Sequence, residues 1–217
     1  MYSYKSFIDF GSGRGAWAKA FEELGYDDYY LIDHPALDTE SVLVKRKDRV
    51  IKCDIDIELP KLIRADLVLC IEVLEHFDMK RAKPIIDYLT SCSDLILFSA
   101  AVPGQGGKGH LNEQPHGFWH KCFYANGFDY FDEFKVKILD CVDQSNFYHA
   151  QNIFVYYHKE RRNEFSRFGK LFNESFEIRH ASMLNKKPGI VNLLRQFPAA
   201  FRNSASYHYQ KIFGKRG

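Results

Sequence analysis

A glycine-rich turn near the amino terminus restricts the fold of this chain more than any other feature. Gly11, Gly13 and Gly15 lie between a short apolar run at 7–10 and a segment at 16–24 with apolar residues at helical spacing. Glycine lets the backbone turn tightly and approach a ligand closely, because it carries no Cβ. A glycine-rich turn between a strand and a helix is typical of nucleotide-binding α/β proteins. No G-K-[ST] follows, which excludes a Walker A loop.

Apolar runs alternate with helical patterns along the following residues. Strands are predicted at 7–10, 29–32, 49–55, 65–73 and 94–102, and helices at 16–24, 81–91 and 113–125. Two more strands, at 134–142 and 152–158, have a hairpin-like connection, which predicts an antiparallel pair at the edge of the sheet. The pattern predicts an α/β fold, a Rossmann-like doubly wound sheet of seven strands with an antiparallel last strand.

Charge divides the chain into two parts. From residue 160 to the end there are 12 Lys/Arg against 4 Asp/Glu, whereas the preceding residues carry 18 against 24. We therefore expect a nucleotide-binding domain at 1–159 and a basic, helical C-terminal extension at 160–217. A basic extension suits an anionic partner, although a solvated helical appendage is the simpler interpretation.

The cysteine pattern indicates the redox compartment of the protein. The cysteines are odd in number and never form C-x-x-C, so we expect reduced thiols in a cytoplasmic protein. No apolar run is long enough for a membrane span.

The first strand begins by about residue 6, so little of the chain precedes it that could cover a ligand cleft. Two explanations stay open: the chain is one domain of a longer protein, or its own extension covers the ligand cleft.

Acidic residues mark the ends of four predicted strands. Asp9 lies two residues before Gly11, and Asp33, Asp54 and Glu72 end the second, third and fourth strands. The carboxyl ends of parallel strands share one edge, and a carboxylate after the second strand accepts hydrogen bonds from ribose hydroxyls. Asp9 would repel a pyrophosphate and attract an ammonium or a sulfonium. This argues against an NAD(P)-dependent enzyme, which the glycine spacing alone would also fit.

Four segments resemble motifs of the class I S-adenosylmethionine-dependent methyltransferases. FIDFGSGRG resembles their first motif, LIDHP the ribose-binding strand end, KCDI the adenine-binding one and DLVLCIEVLEHF the fourth-strand motif, over residues 5–158. The resemblance implies S-adenosyl-L-methionine as cofactor and S-adenosyl-L-homocysteine as product. It implies a cofactor site made of Asp9, Gly11, Ser12, Gly13, Gly15, Asp33, His34, Cys53, Asp54, Ile55, Glu72 and Val73.

Methyl transfer to a hydroxyl benefits from a base, and histidine is suited to that role near neutral pH. His110 follows the glycine-rich stretch PGQGGKG and is the candidate general base. Glu72 and His76, in the fourth-strand motif, are the other catalytic candidates, with a structural role favoured for His76. Glu72 and Glu75 could orient a histidine or, as the less favoured alternative, hold a divalent ion.

Metal binding elsewhere is not predicted. His116 and His120 share a predicted helix at i and i+4, a spacing that can bind a metal. No third ligand lies nearby in the sequence, so we expect no metal.

The segment GHLNEQPHGFWHKCFYANGF resembles the corresponding region of methyltransferases that modify sugars and polysaccharides. The predicted substrate-binding residues are Asn112, Glu113, Gln114, His116 and Trp119. Phe118 and Tyr124 are expected to pack into the core. The predicted activity is methyl transfer to a hydroxyl of a sugar or glycan. The alternatives are a methyltransferase acting on RNA or another small molecule, and a non-catalytic nucleotide-binding scaffold. The chain lacks the N-P-P-[YFW] and D-P-P-[YFW] motifs of base-amino methyltransferases.

Overall fold

A seven-stranded sheet organises the residues that this computed structural model describes, 5–131 and 147–165. The strands are β1 (Ser6–Phe10), β2 (Asp28–Asp33), β3 (Val50–Lys52), β4 (Leu67–Ile71), β5 (Leu95–Ser99), β6 (Phe128–Phe131) and β7 (Phe154–His158). Their spatial order is β3-β2-β1-β4-β5-β7-β6, and β7 is antiparallel to both of its neighbours. The predicted doubly wound, Rossmann-like sheet with an antiparallel last strand is therefore confirmed.

Helices cover both faces of this sheet. They are α1 (Ala16–Glu23), α2 (Met79–Cys92), α3 (His116–Ala125), α4 (Phe147–Asn152) and α5 (Arg162–Phe165). None of the helices within the described ranges is both long enough and apolar enough to cross a membrane. The domain boundary at 159/160 and the helical extension stay predictions, because residues 166–217 lie outside the described part of the chain.

The sixth strand differs from the prediction in its position. It runs from Phe128 to Phe131 and begins directly after Gly127, whose φ of 82° closes helix α3. Phe128 enters the core, and the strand pairs with β7. The stretch at 134–142, predicted as this strand, lies outside the described residues. Helix α4 lies between β6 and β7 in sequence, so the predicted hairpin-like connection is wrong.

Successive side chains of β1 point alternately into two hydrophobic clusters, one on each face of the sheet. Ile8 and Phe10 pack with helices α2 and α3 in one hydrophobic cluster, whereas Phe7 packs with α1 in the other. Successive side chains of a strand point to opposite faces of the sheet. Asp9 therefore falls on the face that helix α1 covers, which decides the environment of its carboxyl group.

Candidate active site

The glycine loop after β1 has the geometry that only glycine allows. Gly11 has a φ of 71°, and a Cβ on it would lie 2.6 Å from a methyl carbon of Val73. The Gly11 N–H donates to the carbonyl oxygen of Ile32 at 2.8 Å. The Gly13 N–H donates to Asp33 Oδ2 at 2.6 Å. The loop is thereby tied to the end of β2 and packed against the segment that follows β4.

A pocket of about 270 Å³ opens at the carboxyl ends of β1 to β4. In a doubly wound sheet, ligands bind where the strand order reverses, here between β1 and β4. Nine of the twelve predicted cofactor residues line the pocket: Gly11, Gly13, Asp33, His34, Cys53, Asp54, Ile55, Glu72 and Val73. Asp56, His76 and Phe77 complete the lining. These residues meet because β3, β2, β1 and β4 are neighbouring parallel strands, whose carboxyl ends lie at the same edge of the sheet.

Negative charge dominates the wall of this pocket. Asp33, Asp54, Asp56 and Glu72 contribute carboxylates, and none of the residues that line it in the described part of the chain is Lys or Arg. His34 Nδ1 accepts a hydrogen bond from the Ala36 N–H at 3.1 Å, so its Nε2 carries the proton. That nitrogen lies 3.6 Å from Asp54 Oδ2. Such a wall attracts a cationic ligand.

Asp9 lies beneath the loop and does not line the pocket. Its side chain is only 2% exposed, and Oδ2 accepts a hydrogen bond from the Ala18 N–H in helix α1 at 3.2 Å. Burial raises the pKa of Asp9 to about 7; the Ala18 hydrogen bond opposes this shift, and the charge of Asp33 adds to it. Asp9 thus supports the loop–helix junction, which corrects the expectation that it faces the ligand.

Ser12 and Gly15 also lie outside the pocket lining. Ser12 is nearly buried. Gly15 precedes helix α1 with a φ of 75°, and a Cβ on it would lie 2.8 Å from Leu31. The Gly15 N–H donates to the carbonyl oxygen of Ser12 at 2.8 Å, so both residues belong to the turn, and their part in cofactor binding stays a prediction.

Glu72 ends β4 in an unusual backbone conformation. Its φ of 54° is the one positive value for a non-glycine residue in the described ranges. Its N–H donates to the carbonyl oxygen of Ser99 at 3.0 Å. Its carboxylate accepts from Gln105 Nε2 at 2.9 Å and from Asn152 Nδ2 at 3.4 Å. Backbone strain of this kind, held by several contacts, is concentrated at functional sites.

The network around Glu72 includes residues that the sequence did not indicate. Asn152 Nδ2 donates to Gln105 Oε1 at 2.7 Å, and Gln151 Nε2 donates to Asn152 Oδ1 at 3.0 Å. His116 Nε2 lies 3.3 Å from Asn152 Oδ1. A buried, connected network of this kind rigidifies its members. A glutamine between glycines, in PGQGG, was the one available signal for Gln105.

His76 and His110 meet at the edge of the pocket. His76 lines it, and the His110 ring packs edge-on against His76 with ring centroids 4.9 Å apart. His110 Nδ1 lies 3.0 Å from Glu113 Oε1, and His76 Nδ1 lies 3.3 Å from the carbonyl oxygen of Gly109. Of the three predicted catalytic residues, Glu72 and His76 line the pocket and His110 contacts it through His76.

Glu75 lies behind this pair, in a three-residue turn at Leu74–His76. Its side chain is 0% exposed. Burial raises the pKa of Glu75 to about 8, and the negative charge of Glu72 adds to the shift. Its main-chain carbonyl oxygen accepts hydrogen bonds from the N–H groups of Leu111 and Asn112, at 2.7 and 3.0 Å.

The predicted substrate residues do not line the pocket. Trp119 is 1% exposed and packs against Phe98 in the core, which corrects the expectation that it faces a sugar. Asn112 is buried, and its Oδ1 accepts from Gln114 Nε2 at 2.9 Å. His116 is buried in the network that contains Asn152.

Glu113, predicted to bind substrate, holds the glycine-rich loop between β5 and α3. Its two carboxylate oxygens accept from the N–H groups of Gly104 and Gly106, at 2.8 and 2.6 Å. Tyr124, expected in the core, is 65% exposed, with Lys159 Nζ 3.3 Å from its ring centroid. Phe118 packs against the core as expected.

Comparisons with known proteins agree with this fold. Residues 3–91 match a family model described as a methyltransferase domain. No curated protein matches the chain in sequence. A solved structure of a SAM-dependent methyltransferase from Archaeoglobus fulgidus is 15% identical, with a TM-score of 0.50 and 71% of this chain and 85% of that chain covered.

Two further solved structures have a similar fold. One is the O-methyltransferase NcsB1 from neocarzinostatin biosynthesis, in complex with S-adenosylmethionine and 2-hydroxy-5-methyl naphthoic acid. It is 14% identical, with a TM-score of 0.51 and 72% of this chain and 50% of that chain covered. The other is LaPhzM, 17% identical, with a TM-score of 0.50 and 72% and 52% covered. The chain spans about half the length of these two proteins.

Proposed function

We propose that this chain is an S-adenosylmethionine-dependent methyltransferase and that the acidic pocket binds S-adenosylmethionine. The observation that carries the proposal is the pocket itself, where the glycine loop, Asp33 and Asp54 meet at the reversal of strand order. The methyltransferase-domain match over residues 3–91 and the Rossmann-like sheet support it. An anionic wall suits a ligand that bears an ammonium and a sulfonium better than a pyrophosphate.

Each part of the pocket has a group that fits one part of the cofactor. Asp33 Oδ1 and Oδ2 each accept one main-chain N–H, and each keeps a lone pair for a ribose hydroxyl. We assign the adenine to the stretch from Cys53 to Ile55, where Asp54 would accept from the amino group. We assign the ammonium to the region between the glycine loop and Glu72.

The cofactor, when bound, would supply an activated methyl group: an acceptor would bond to the methyl carbon in line as the S–C bond breaks, and S-adenosylhomocysteine would leave. The protein aligns the acceptor and excludes water. We propose a hydroxyl acceptor, whose proton passes to a base as the O–C bond forms. His110 is our candidate for that base, because its Nδ1 is held by Glu113 and its ring contacts the pocket-lining His76. A positioned base contributes roughly 10²–10⁴-fold to such a step.

A sugar or glycan is our proposed class of acceptor. The support is the resemblance of residues 109–128 to sugar-modifying methyltransferases. The side-chain contacts do not add to it, because most of the polar side chains in this segment contact other protein groups. Of the two predicted substrate-binding amides, Asn112 is buried and Gln114 is partly exposed. An acceptor screen with mono- and oligosaccharides, RNA oligonucleotides and small phenols tests this assignment. Turnover of RNA alone would contradict it, and a lack of turnover with every acceptor would favour a scaffold.

Calorimetry with S-adenosylhomocysteine tests cofactor binding. We expect binding by the wild type and a loss of at least ~10-fold in affinity for Asp33→Ala, because a hydrogen bond to a charged group contributes about 1.5–3 kcal/mol. Asp48→Ala removes an exposed acid that does not line the pocket and serves as the control. Equal affinity in Asp33→Ala would refute the ribose assignment. Tighter binding of NAD(H) than of S-adenosylhomocysteine by the wild type would refute the function.

A further inference from the structure

We propose that Glu75, His76 and His110 form a binding site for a divalent transition-metal cation such as Zn²⁺, next to the pocket. One ligand atom of each residue lies within 4.8 Å of the other two. Two imidazole nitrogens and one carboxylate oxygen form a donor set that zinc and related cations accept, with positions left for water or substrate. Modest side-chain rotations would bring these atoms to the bonding distances of about 2.0–2.2 Å.

Glu75 is the first reason for this assignment. Its side chain is fully buried, and neither carboxylate oxygen has a hydrogen-bond partner among the described residues. A buried carboxylate without a partner is costly, and such groups are normally paired or bind a metal. A divalent cation bound to an oxygen of Glu75 would supply a partner for this buried group.

The orientation of the two histidines is the second reason. Nδ1 of His76 faces the carbonyl oxygen of Gly109, and Nδ1 of His110 faces the carboxylate of Glu113. An acceptor at Nδ1 selects the tautomer in which that nitrogen carries the proton, so Nε2 keeps the lone pair. Histidines that bind metals show this arrangement, in which a carboxylate or a carbonyl oxygen holds the other ring nitrogen.

The backbone holds the two contributing segments together without any ion. The N–H groups of Leu111 and Asn112 both bind the carbonyl oxygen of Glu75, which fixes the His110 loop to the turn that carries Glu75. Gly107 leaves room for the His110 ring, since a Cβ there would lie 2.3 Å from Nε2. The three ligands are therefore brought together before a cation binds.

This cluster differs from the histidine pair that the sequence suggested as a metal site. His116 belongs to the network around Asn152, and His120 Nδ1 lies 2.6 Å from the hydroxyl oxygen of Tyr156. A cation bound to Glu75, His76 and His110 would contradict the expectation that no metal binds. If the proposed function holds, a cation beside His76 would take an acceptor hydroxyl oxygen and lower its pKa. With the cation bound, His110 would be a ligand and the hydroxyl proton would pass to solvent water; in the metal-free protein His110 keeps its proposed role as the base.

Calorimetry with Zn²⁺ on the chelator-treated full chain tests the site. We expect one site per chain, with affinity reduced at least ~10-fold in Glu75→Gln and in His110→Asn, each of which removes one ligand. Glu113→Gln should weaken binding by about 10-fold, because partners of ligating histidines contribute 10–100-fold. His158→Asn, which changes a histidine outside both the pocket and the cluster, should bind Zn²⁺ as the wild type does.

Cobalt provides a second readout that does not depend on catalysis. Co²⁺ bound by two histidines and a carboxylate should give visible absorption bands in the wild type that are lost in His110→Asn. Unchanged Zn²⁺ affinity in both Glu75→Gln and His110→Asn, or no Zn²⁺ binding by the wild type, would overturn the proposal. Titration of the same samples with S-adenosylhomocysteine reports whether the pocket is folded, so failure of the metal site is distinguished from failure of the proposed function.

Discussion

The cofactor side and the acceptor side of this molecule are built in different ways. On the cofactor side, side chains at the ends of β1 to β4 project into a shared pocket, and Asp33 and Asp54 remain accessible there. On the acceptor side, the polar residues between β5 and α3 mostly bind one another, as Glu113 binds the glycine-rich loop. The comparison teaches that strand ends of a parallel sheet present residues to a ligand, whereas a long connection uses its polar groups to satisfy its own backbone.

The largest effect is expected for the tryptophan of helix α3. Trp119 is fully buried against Phe98, so Trp119→Ala should lower the free energy of unfolding by about 3–5 kcal/mol, as for other large-to-small core changes. Urea denaturation followed by circular dichroism measures it. If Trp119→Ala remains folded, it should keep the wild-type affinity for S-adenosylhomocysteine. A variant of unchanged stability that loses acceptor turnover would instead place Trp119 in a substrate site.

The next effect concerns the cofactor side. In Gly11→Ala the new Cβ would clash with Val73 at 2.6 Å, and the φ of 71° disfavours any side chain. We expect affinity for S-adenosylhomocysteine to fall by about 100-fold, which corresponds to the roughly 3 kcal/mol upper range of such backbone strain. Gly13→Ala is the matched control: its φ is 52°, but nothing lies within 4 Å of the added Cβ. Equal losses in the two variants would show that the contact with Val73 is unimportant.

A smaller effect is expected from the buried acid beneath the loop. The folded-state pKa of Asp9, about 7, lies above the ordinary value of 3.8, so the folded protein holds this proton more tightly. The stabilisation is complete below about pH 3.8 and is lost as the pH rises through 7. Between pH 5.5 and 8 the wild type should therefore lose about 2 kcal/mol more stability than Asp9→Asn.

Urea denaturation at these two pH values, with a chelator present, measures the difference. Glu75 changes stability in the same direction, because burial also raises its pKa, to about 8. Glu75 is present in both proteins, so the comparison isolates Asp9. Identical pH dependence in wild type and Asp9→Asn would mean that Asp9 remains charged in the folded protein.

The smallest effect is expected at the exposed end of helix α3. Tyr124 is 65% exposed, so Tyr124→Ala should change stability by no more than about 0.5 kcal/mol. The cation–π contact between Lys159 and the Tyr124 ring should account for most of this loss of stability. The same denaturation experiment compares it with Trp119→Ala, a change of another aromatic on the same helix. A loss of several kcal/mol would contradict the exposed position of this side chain.

The sheet could be predicted because its strands are marked by local signals. The run ADLVLCIEV predicted a strand buried on both faces, and β4 lies within it between two hydrophobic clusters. The position of β6 could not be predicted, because FDYF is short and follows a turn that resembles the end of an element. Whether such a segment becomes a strand depends on pairing with β7, which is distant in sequence.

The chain by itself determined that Asp33, Asp54 and Glu72 follow successive parallel strands and therefore meet at one edge of the sheet, because a strand's direction and its period of two follow from local backbone geometry. Only the tertiary structure decided that Asp9 faces helix α1, that Glu113 binds its own loop and that Glu75 lies buried beside His76 and His110. Those outcomes depend on which segments pack together across the fold. Burial and charge at such contacts come from neighbours that are distant in sequence, so residue spacing carries no record of them.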